Sequence, residues 1–237
     1  MATIFDCSDR SGLLAGMRLA RAAIGRGELV VAPTDTVYGV AADAFNPDAV
    51  QRLLDAKGRT RQAPPPVLVP TVETLAALAA EVPPEVQTLV DVFWPGGLTI
   101  ILPARDSLRW DLGDTGGTVA LRMPSNVVML ELLAETGPLA VSSANVTGSP
   151  AAMTASAAEE MLGASVSVYL DGGDSGQDYG TAMGAGTGST IVDATGLLNG
   201  GELVIVRHGV IPAEAIWAAL ADAGNRAAPD GQGGVVA

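Results

Sequence analysis

Residues 28–36 read Glu28-Leu29-Val30-Val31-Ala32-Pro33-Thr34-Asp35-Thr36, and this stretch indicates the fold class of the chain. Its valine-rich apolar run predicts a short buried strand. The three polar residues that follow bond readily to their own backbone, which predicts a turn where the strand ends. Apolar residues at helical spacing before the strand, and an Asn-Pro pair after it, predict a helix on each side. The stretch is therefore typical of an α/β protein.

The same alternation of helices and strands continues along the chain. The first helix is predicted from the apolar spacing of residues 13–24, and the second, over residues 47–56, begins after Asn46 and places Lys57 at a helix C-terminus. The remaining predicted elements are, in order, strand 67–69, helices 71–80 and 83–93, strands 98–102 and 118–122, helix 127–134, strand 139–142, a helix from about 154, strands 189–192 and 202–207, and helix 212–221. Because strands 98–102 and 118–122 follow each other without a helix between them, part of the sheet is expected to be antiparallel. The sequence predicts a mixed parallel and antiparallel α/β sheet with flanking helices.

Length and composition predict one domain over residues 1–222. With 48% hydrophobic and 16% charged residues, the chain can bury a substantial core. Residues 171–188 are rich in glycine and nearly free of large apolar side chains, so we expect a mobile loop there. Residues 223–237 contain little that could bury surface and are expected to be a disordered tail.

Composition also limits the function classes. The apolar runs are too short to cross a bilayer and the N-terminus does not resemble a signal peptide, so we expect a cytoplasmic protein with no membrane contact. The formal net charge of −13 argues against broad binding to a phosphate backbone, so direct tRNA binding should be weak or absent. Single residues of cysteine (Cys7) and histidine (His208) cannot form an internal disulfide or a Cys/His metal site, so no protein metal site is expected.

The strongest positive cluster is Lys57-Gly58-Arg59-Thr60-Arg61, which contains the only lysine of the chain. An ammonium beside guanidinium groups, followed by a loop stiffened by three prolines, is suited to phosphate oxygens. Arg122 and Arg207, near the ends of predicted strands, are further candidate anion ligands. Solvated surface arginines are the alternative interpretation for each of them. The cluster points to an anionic small molecule, such as a nucleotide.

Two hydroxyl-rich clusters follow predicted strands, at residues 33–39 and 142–148. Hydroxyl groups and exposed backbone amides at such positions can hold a ligand, although a simple capped turn explains either cluster equally well. The chain has neither a P-loop nor a G-x-G-x-x-G motif after a strand. A serine nucleophile activated by histidine is not expected either, because the single histidine lies in an Arg-His-Gly turn.

Seven short motifs, taken in order and spacing, resemble those of the YrdC-type threonylcarbamoyl-AMP synthases. They are Pro33-Thr34-Asp35-Thr36-Val37-Tyr38-Gly39, Lys57-Gly58-Arg59, Trp94-Pro95-Gly96-Gly97-Leu98-Thr99, Val119-Ala120-Leu121-Arg122-Met123-Pro124, Ser143-Ala144-Asn145, Ser189-Thr190-Ile191-Val192-Asp193 and Arg207-His208-Gly209. The resemblance covers about residues 12–220 and is to the short, single-domain form of the family. The sequence departs from the family pattern at four places. They are Gln62-Ala63; Leu68, where some family members have a histidine; Gly188, where the family usually has glutamate; and His208, where the family has proline after the arginine.

The resemblance implies a nucleotidyltransferase that converts L-threonine, bicarbonate and ATP into L-threonylcarbamoyladenylate and pyrophosphate. Its product would supply the threonylcarbamoyladenosine modification of tRNA through downstream transfer proteins, and Mg²⁺ would accompany ATP. The family fold is a twisted mixed sheet around a central, positively charged cavity. By position, the ATP-binding residues would be Lys57, Arg59, Thr118, Ser143, Asn145 and Arg207, of which Lys57 and Arg59 would be catalytic. The threonine-binding residues would be Thr34, Thr36, Arg122 and Ser189.

Two other functions of the same fold remain open from the sequence. One is a non-catalytic RNA-binding module, against which the acidity of the chain counts. The other is a carbamoyl-adenylate-forming module of the kind found in hydrogenase maturation factors, which would use carbamoyl phosphate and carry additional domains. Pyrophosphate release that requires both threonine and bicarbonate would separate the synthase from both.

Overall fold

A single sheet of ten strands organises the computed structural model, which describes residues 3–179 and 187–227. The strands are β1 (Thr3–Asp6), β2 (Val30–Ala32), β3 (Gly39–Asp43), β4 (Val67–Leu68), β5 (Leu98–Pro103), β6 (Thr118–Arg122), β7 (Leu139–Ser143), β8 (Val168–Asp171), β9 (Thr190–Asp193) and β10 (Val204–Arg207). The helices are α1 (Arg10–Gly25), α2 (Pro47–Lys57), α3 (Val72–Leu78), α4 (Pro84–Phe93), α5 (Val127–Thr136), α6 (Ala155–Leu162) and α7 (Ala213–Ala227).

The sheet mixes parallel and antiparallel pairs, as the sequence predicts. Its strand order is β1-β8-β2-β3-β7-β4-β6-β5-β9-β10. The parallel pairs are β1–β8, β2–β8, β4–β6 and β5–β9, and the other neighbours run antiparallel. In particular, β5 and β6 pair in the antiparallel sense expected from the missing helix between them.

The two halves of the sheet meet at β4, which has only two residues. Val67 and Leu68 pair with β7 on one side and with β6 on the other. The preceding residues Pro64, Pro65 and Pro66 have no backbone N–H to donate, although the Pro66 carbonyl oxygen still accepts from the Val141 amide at 2.9 Å. The two halves are therefore joined through a short strand, and Pro64 and Pro66 line a cavity there.

Strand β2 is buried on both faces, which confirms the prediction for residues 28–33. Val30 and Ala32 pack into a core cluster formed with α1 and α5. Leu29 and Val31 point the other way, into a cluster formed with α2 and α6. A third cluster packs α3, α4 and α7 against the half of the sheet that contains β5, β6 and β9. Burial on both faces explains the run of apolar residues without alternation.

Helix α2 begins and ends as its sequence indicates. The Asn46 side chain accepts a hydrogen bond from the Ala49 amide at 3.2 Å, and Pro47 occupies the first turn. Gly58 adopts a left-handed conformation, with φ of 62°, and ends the helix. Lys57 is therefore the last helical residue, and the chain turns sharply before Arg59.

Some predictions of the elements need correction. Strands β1, β3 and β8 were not predicted from the sequence. Helix α7 spans Ala213–Ala227 and so continues beyond residue 221, where the last helix was predicted to end; residues 228–237 lie outside the described residues. The expected mobile loop 171–188 lies partly outside them as well, because residues 180–186 are not described. No helix within the described residues has the length and apolar character needed to cross a bilayer.

Candidate active site

Side chains from both halves of the sheet line a cavity of about 420 Å³. One wall comes from the turn after β2 and from the end of β7. The opposite wall comes from β5, β6, β9 and β10. The polar residues on the walls are Thr34, Thr36, Arg59, Thr99, Arg122, Ser142, Ser143, Asn145, Ser149, Ser189 and Arg207. Of the ten predicted site residues, eight therefore share this cavity, and Lys57 and Thr118 do not line it.

The Arg122 side chain is held in the cavity by hydrogen bonds to three different residues. Its Nε donates to the Gly96 carbonyl oxygen at 2.9 Å, its Nη1 to Thr36 Oγ1 at 3.1 Å, and its Nη2 to Asp35 Oδ1 at 2.7 Å. The ion pair with Asp35 is buried, since the side chains are 7% and 0% exposed. An arginine held from three directions offers its remaining N–H groups in one defined orientation.

The turn after β2 positions Thr36 through the hydroxyl of Thr34. Thr34 Oγ1 donates to the Val37 carbonyl oxygen at 2.6 Å and accepts from the amides of Thr36 and Val37, each at 3.2 Å. Both threonine side chains are buried. The turn interpretation and the ligand interpretation of this cluster are therefore compatible, because the hydroxyl that closes the turn also lines the cavity.

On the opposite wall, Ser189 and Arg207 form one connected group. The Arg207 Nη2 atom donates to Ser189 Oγ at 2.8 Å, and both Nε and Nη2 donate to the Ser189 carbonyl oxygen at 2.9 and 2.6 Å. Ser189 Oγ also shares a hydrogen bond of 2.7 Å with Thr99 Oγ1. The hydroxyl group of Ser189 is thus oriented by an arginine from β10 and a threonine from β5.

The basic cluster meets the turn after β7. Arg59 Nη1 donates to Ser142 Oγ at 3.1 Å and its Nε to Thr147 Oγ1 at 3.3 Å. The Lys57 ammonium is fully buried and donates to the carbonyl oxygens of Ser143 and Asn145, the latter at 2.6 Å. Arg59 therefore reaches the cavity, whereas Lys57 supports the turn that forms its wall.

Thr118 lines a second cavity, of about 380 Å³, which adjoins the first. The two cavities share Pro64, Pro66, Ile191 and Arg207 in their walls. The second is mainly apolar, with Leu112, Val119 and Val206 among its lining residues. A polar, arginine-rich compartment is thus connected to an apolar one, as an amphiphilic ligand with a charged and a planar part would require.

Positive charge accumulates in the first cavity although the chain as a whole is acidic. Arg59, Arg122 and Arg207 line it, and only Asp35 among the described carboxylates pairs with one of them. Burial lowers the pKa of Arg207, and the neighbouring charges of Arg122 and Arg59 lower it further. Guanidinium groups that repel one another in this way favour an anionic ligand, because its charge relieves the repulsion.

Five residues of the site were not among the sequence-predicted site residues. Asp35, Thr99 and Ser142 lie inside or next to the quoted motifs, and Ser149 directly follows the hydroxyl-rich cluster at residues 142–148, so their positions in the sequence provided a signal. Tyr179 lies in the glycine-rich segment and donates from its hydroxyl group to Asp35 Oδ2 at 3.0 Å. No sequence pattern indicated that contact.

The arrangement can bind and polarise anions, but it does not contain a conventional nucleophile. Five cavity hydroxyls bond to arginine, to each other or to backbone groups, and none of these bonds involves a histidine; they are those of Thr34, Thr36, Thr99, Ser142 and Ser189. Within residues 3–179 and 187–227, no group of three or more His, Cys, Asp or Glu side chains could hold a metal ion. Chemistry at this site would therefore depend on positioning and charge stabilisation of the substrates.

Comparison with known proteins places these features in a family. The Sua5/YciO/YrdC family model, described as "Telomere recombination", matches residues 22–209. A protein of Mycobacterium leprae named putative threonylcarbamoyl-AMP synthase is 46% identical over 224 residues, which cover 91% of this chain and 98% of the relative. A Mycobacterium tuberculosis protein with the same name is 48% identical over 196 residues, covering 83% of this chain and 87% of the relative.

A solved structure, that of Pyrococcus abyssi Sua5 complexed with L-threonine, has the same fold. It superposes with a TM-score of 0.79 at 32% sequence identity and covers 92% of this chain. The chain spans 60% of the length of that archaeal protein. These similarities confirm both the expected fold and the resemblance on which the site residues were chosen. The chain belongs to the Sua5/YciO/YrdC family.

Proposed function

We infer that the protein is a threonylcarbamoyl-AMP synthase, which joins L-threonine, bicarbonate and ATP to form L-threonylcarbamoyladenylate and pyrophosphate. One observation supports this most directly. Three guanidinium groups, of Arg59, Arg122 and Arg207, share one cavity with the hydroxyl-bearing turns at Thr36, Ser143 and Ser189. The names of the mycobacterial relatives, which match over nearly their whole length, agree with it.

The threonine substrate is assigned to the compartment around Arg122. Two N–H groups of Arg122, one on each terminal nitrogen, are not used by Gly96, Thr36 or Asp35, so they can take a carboxylate in a paired arrangement. Ser189 and the turn hydroxyls of Thr34 and Thr36 supply neutral partners for the amine and hydroxyl groups of the amino acid.

The triphosphate is assigned to Arg59, Arg207 and the turn of Ser143 and Asn145. Arg207 lies in the wall between the two cavities, so a phosphate bound there would leave the adenosine facing the apolar compartment that contains Thr118. Lys57 contributes by holding the carbonyl oxygens of the turn and thereby the shape of the phosphate site. Mg²⁺ would enter as the complex with ATP, coordinated by phosphate oxygens and water.

The reaction then needs no protein nucleophile. The threonine amine adds to bicarbonate and loses water, which gives a carbamate. A carbamate oxygen attacks the α-phosphorus, the bond from that phosphorus to the bridging oxygen breaks, and pyrophosphate leaves. Arg59 and Arg207 stabilise the charge that moves onto the leaving group. The carbamoyl-adenylate would be passed to proteins that modify tRNA.

Pyrophosphate release from ATP tests this function. We expect release to require both L-threonine and bicarbonate, and to fall at least about tenfold when either is omitted, because no competent attacking group then forms. L-2-Aminobutyrate in place of threonine serves as the matched control, since it keeps the carbon skeleton and lacks only the side-chain hydroxyl group. Pyrophosphate release that does not depend on threonine, or that requires carbamoyl phosphate, would contradict the proposal.

A further inference from the structure

The hydroxyl group of Tyr179 reaches the buried ion pair of the threonine compartment from a segment that follows β8. It donates to Asp35 Oδ2 at 3.0 Å. The same oxygen of the tyrosine packs against the backbone of Gly97. The approach is close, because a Cβ atom at Gly97 would lie 3.0 Å from it. Tyr179 thus contacts both the turn that carries Asp35 and the backbone beside β5.

The segment that carries Tyr179 is fixed along its described length. The Tyr38 hydroxyl donates to the Gly173 carbonyl oxygen at 2.6 Å, and the Ser175 amide donates to the Met153 carbonyl oxygen at 2.9 Å. Gly176 packs so tightly on the Thr36 carbonyl oxygen that a Cβ atom would lie 2.6 Å from it. The segment that places Tyr179 against Asp35 is therefore anchored on the N-terminal side of the tyrosine.

Asp35 has three donors, and each occupies a defined side of its carboxylate. Oδ1 accepts from Arg122 Nη2 at 2.7 Å and from the Ser125 amide at 3.1 Å, while Oδ2 accepts from Tyr179. Burial and the nearby Asp35 charge raise the pKa of Tyr179, so its hydroxyl keeps the proton that it donates. Arg122 consequently meets only one oxygen of Asp35.

Without the tyrosine hydroxyl, Oδ2 would lack this donor. The nearest compensation is rotation of the carboxylate toward Arg122, so that both oxygens accept from the guanidinium group, the geometry that Arg–carboxylate pairs favour. That rotation would use an N–H group that is otherwise available to a ligand carboxylate. An unpaired buried carboxylate oxygen is costly enough to drive it.

We propose that Tyr179 is a positioning residue for threonine. By donating to Oδ2 of Asp35, it limits Arg122 to one hydrogen bond with Asp35 and leaves the other N–H groups of Arg122 free to bind the carboxylate of the amino acid. The proposal rests on the assigned function of the cavity. It extends the threonine site to a glycine-rich segment in which the sequence shows no motif.

The three tyrosines of the chain provide a matched set of hydroxyl deletions. Tyr179→Phe removes the bond to Asp35; Tyr38→Phe removes an anchor of the same segment; and Tyr169→Phe removes a bond to the Gly163 carbonyl oxygen, away from the cavity. We expect Tyr179→Phe to raise the KM for L-threonine roughly three- to tenfold, the effect of one hydrogen bond, while the KM for ATP changes less than about twofold. Tyr169→Phe should leave both values within about twofold of wild type.

Two further measurements make the inference independent of turnover. Titration calorimetry should show the same loss of L-threonine affinity in Tyr179→Phe, whereas L-threoninamide, which lacks the carboxylate, should bind wild type and variant equally. An unchanged threonine affinity in a folded Tyr179→Phe protein overturns the role of Tyr179 and leaves the synthase function standing. An equal loss in Tyr38→Phe overturns it too, because anchoring of the segment would then explain the effect. A wild-type protein that neither binds nor uses threonine overturns both proposals.

Discussion

Lys57 is predicted from the sequence to bind ATP, and in the structure it lies behind the wall of the cavity. The sequence marks it as the only ammonium side chain, beside arginines and at a helix end. In the structure it is fully buried, and its partners are the carbonyl oxygens of Ser143 and Asn145. Within the described residues, no carboxylate forms an ion pair with it. Burial, together with the charge of Arg59, lowers the pKa of Lys57 to about 7.

The lowered pKa of Lys57 predicts a pH dependence of stability. In the unfolded chain the pKa returns to its ordinary value of 10.5, so between pH 7 and that value the unfolded state holds a proton that the folded state has lost. The free energy of unfolding must therefore rise with pH in this window, by up to about 1.4 kcal/mol for each pH unit. The burial penalty on the charged form is present in full below pH 7 and is lost as the pH rises.

Lys57→Met isolates this effect, because methionine keeps much of the side-chain volume and does not titrate. We expect the free energy of unfolding of wild type, minus that of the variant, to increase by at least about 1 kcal/mol from pH 7 to pH 9. Urea unfolding at both pH values measures it. If the free energy of unfolding changes equally in the two proteins between pH 7 and pH 9, the carbonyl ligands keep the ammonium charged, contrary to the prediction.

At the scale of elements, the end of α2 and the turn after β7 form one unit. The Thr147 amide donates to the Lys57 carbonyl oxygen at 3.0 Å, and Arg59 bonds to side chains at both ends of the turn. Gly58 lies between the two basic residues and makes their divergence possible. Because Gly58 is in the left-handed conformation, the chain changes direction there. The Lys57 side chain then contacts the carbonyl oxygens of the turn after β7, and the Arg59 side chain lines the cavity.

Gly58→Ala tests how much this conformation matters. Nothing lies within 4 Å of a Cβ atom at Gly58, so the cost comes from the backbone conformation alone, and we expect about 1 kcal/mol of lost stability. Gly25→Ala is the matched control, because Gly25 ends α1 with equally open space and no left-handed conformation. The control should be neutral or slightly stabilising in the same urea experiment. Equal effects of the two substitutions would contradict the assignment.

The elements that the sequence predicted share a clear local signal. Helix α2 has an asparagine cap and a terminal glycine, and β2 has an apolar run ended by a polar turn. Two of the three missed strands, β1 and β3, lack such signals. β3 is Gly39–Asp43 with small residues, and β1 lies at a sheet edge with three of its four residues exposed. β1 becomes a strand by pairing with β8, and β3 by pairing with both the preceding β2 and the distant β7. The pairings with β8 and β7 are not contained in a local pattern.

The site was predictable to the same extent and for the same reason. Arg122, Ser143 and Arg207 lie at the ends of predicted strands, and their motifs in order indicated a shared cavity. Which of them face the cavity could not be read from the sequence, because that depends on how the two halves of the sheet meet at β4. Tyr179 was beyond prediction, since its contact spans 144 positions and no motif surrounds it.

The charge of the protein as a whole is negative, whereas the side chains that line its first cavity carry positive charge. The chain carries 26 acidic and 13 basic residues, and three of the basic ones line the first cavity. A small anion that enters the cavity meets the guanidinium groups at close range, whereas a polyanion lying across the surface meets mostly acidic residues. Screening confines each interaction to about 10 Å at moderate salt, so the two environments act separately.

This separation predicts that the protein binds ATP but not tRNA. Non-specific binding to nucleic acid depends on many Lys and Arg contacts to phosphate, and typical dissociation constants are about 10⁻⁴ to 10⁻⁶ M at physiological salt. With a net charge of −13, this chain should bind more weakly than that range. Fluorescence anisotropy of labelled tRNA should therefore stay near its free value at about 10 µM protein and about 150 mM salt. Binding below that concentration, with an affinity that falls steeply as salt rises and without pyrophosphate release, would instead favour an RNA-binding module, because a steep salt dependence reports many Lys and Arg contacts to phosphate.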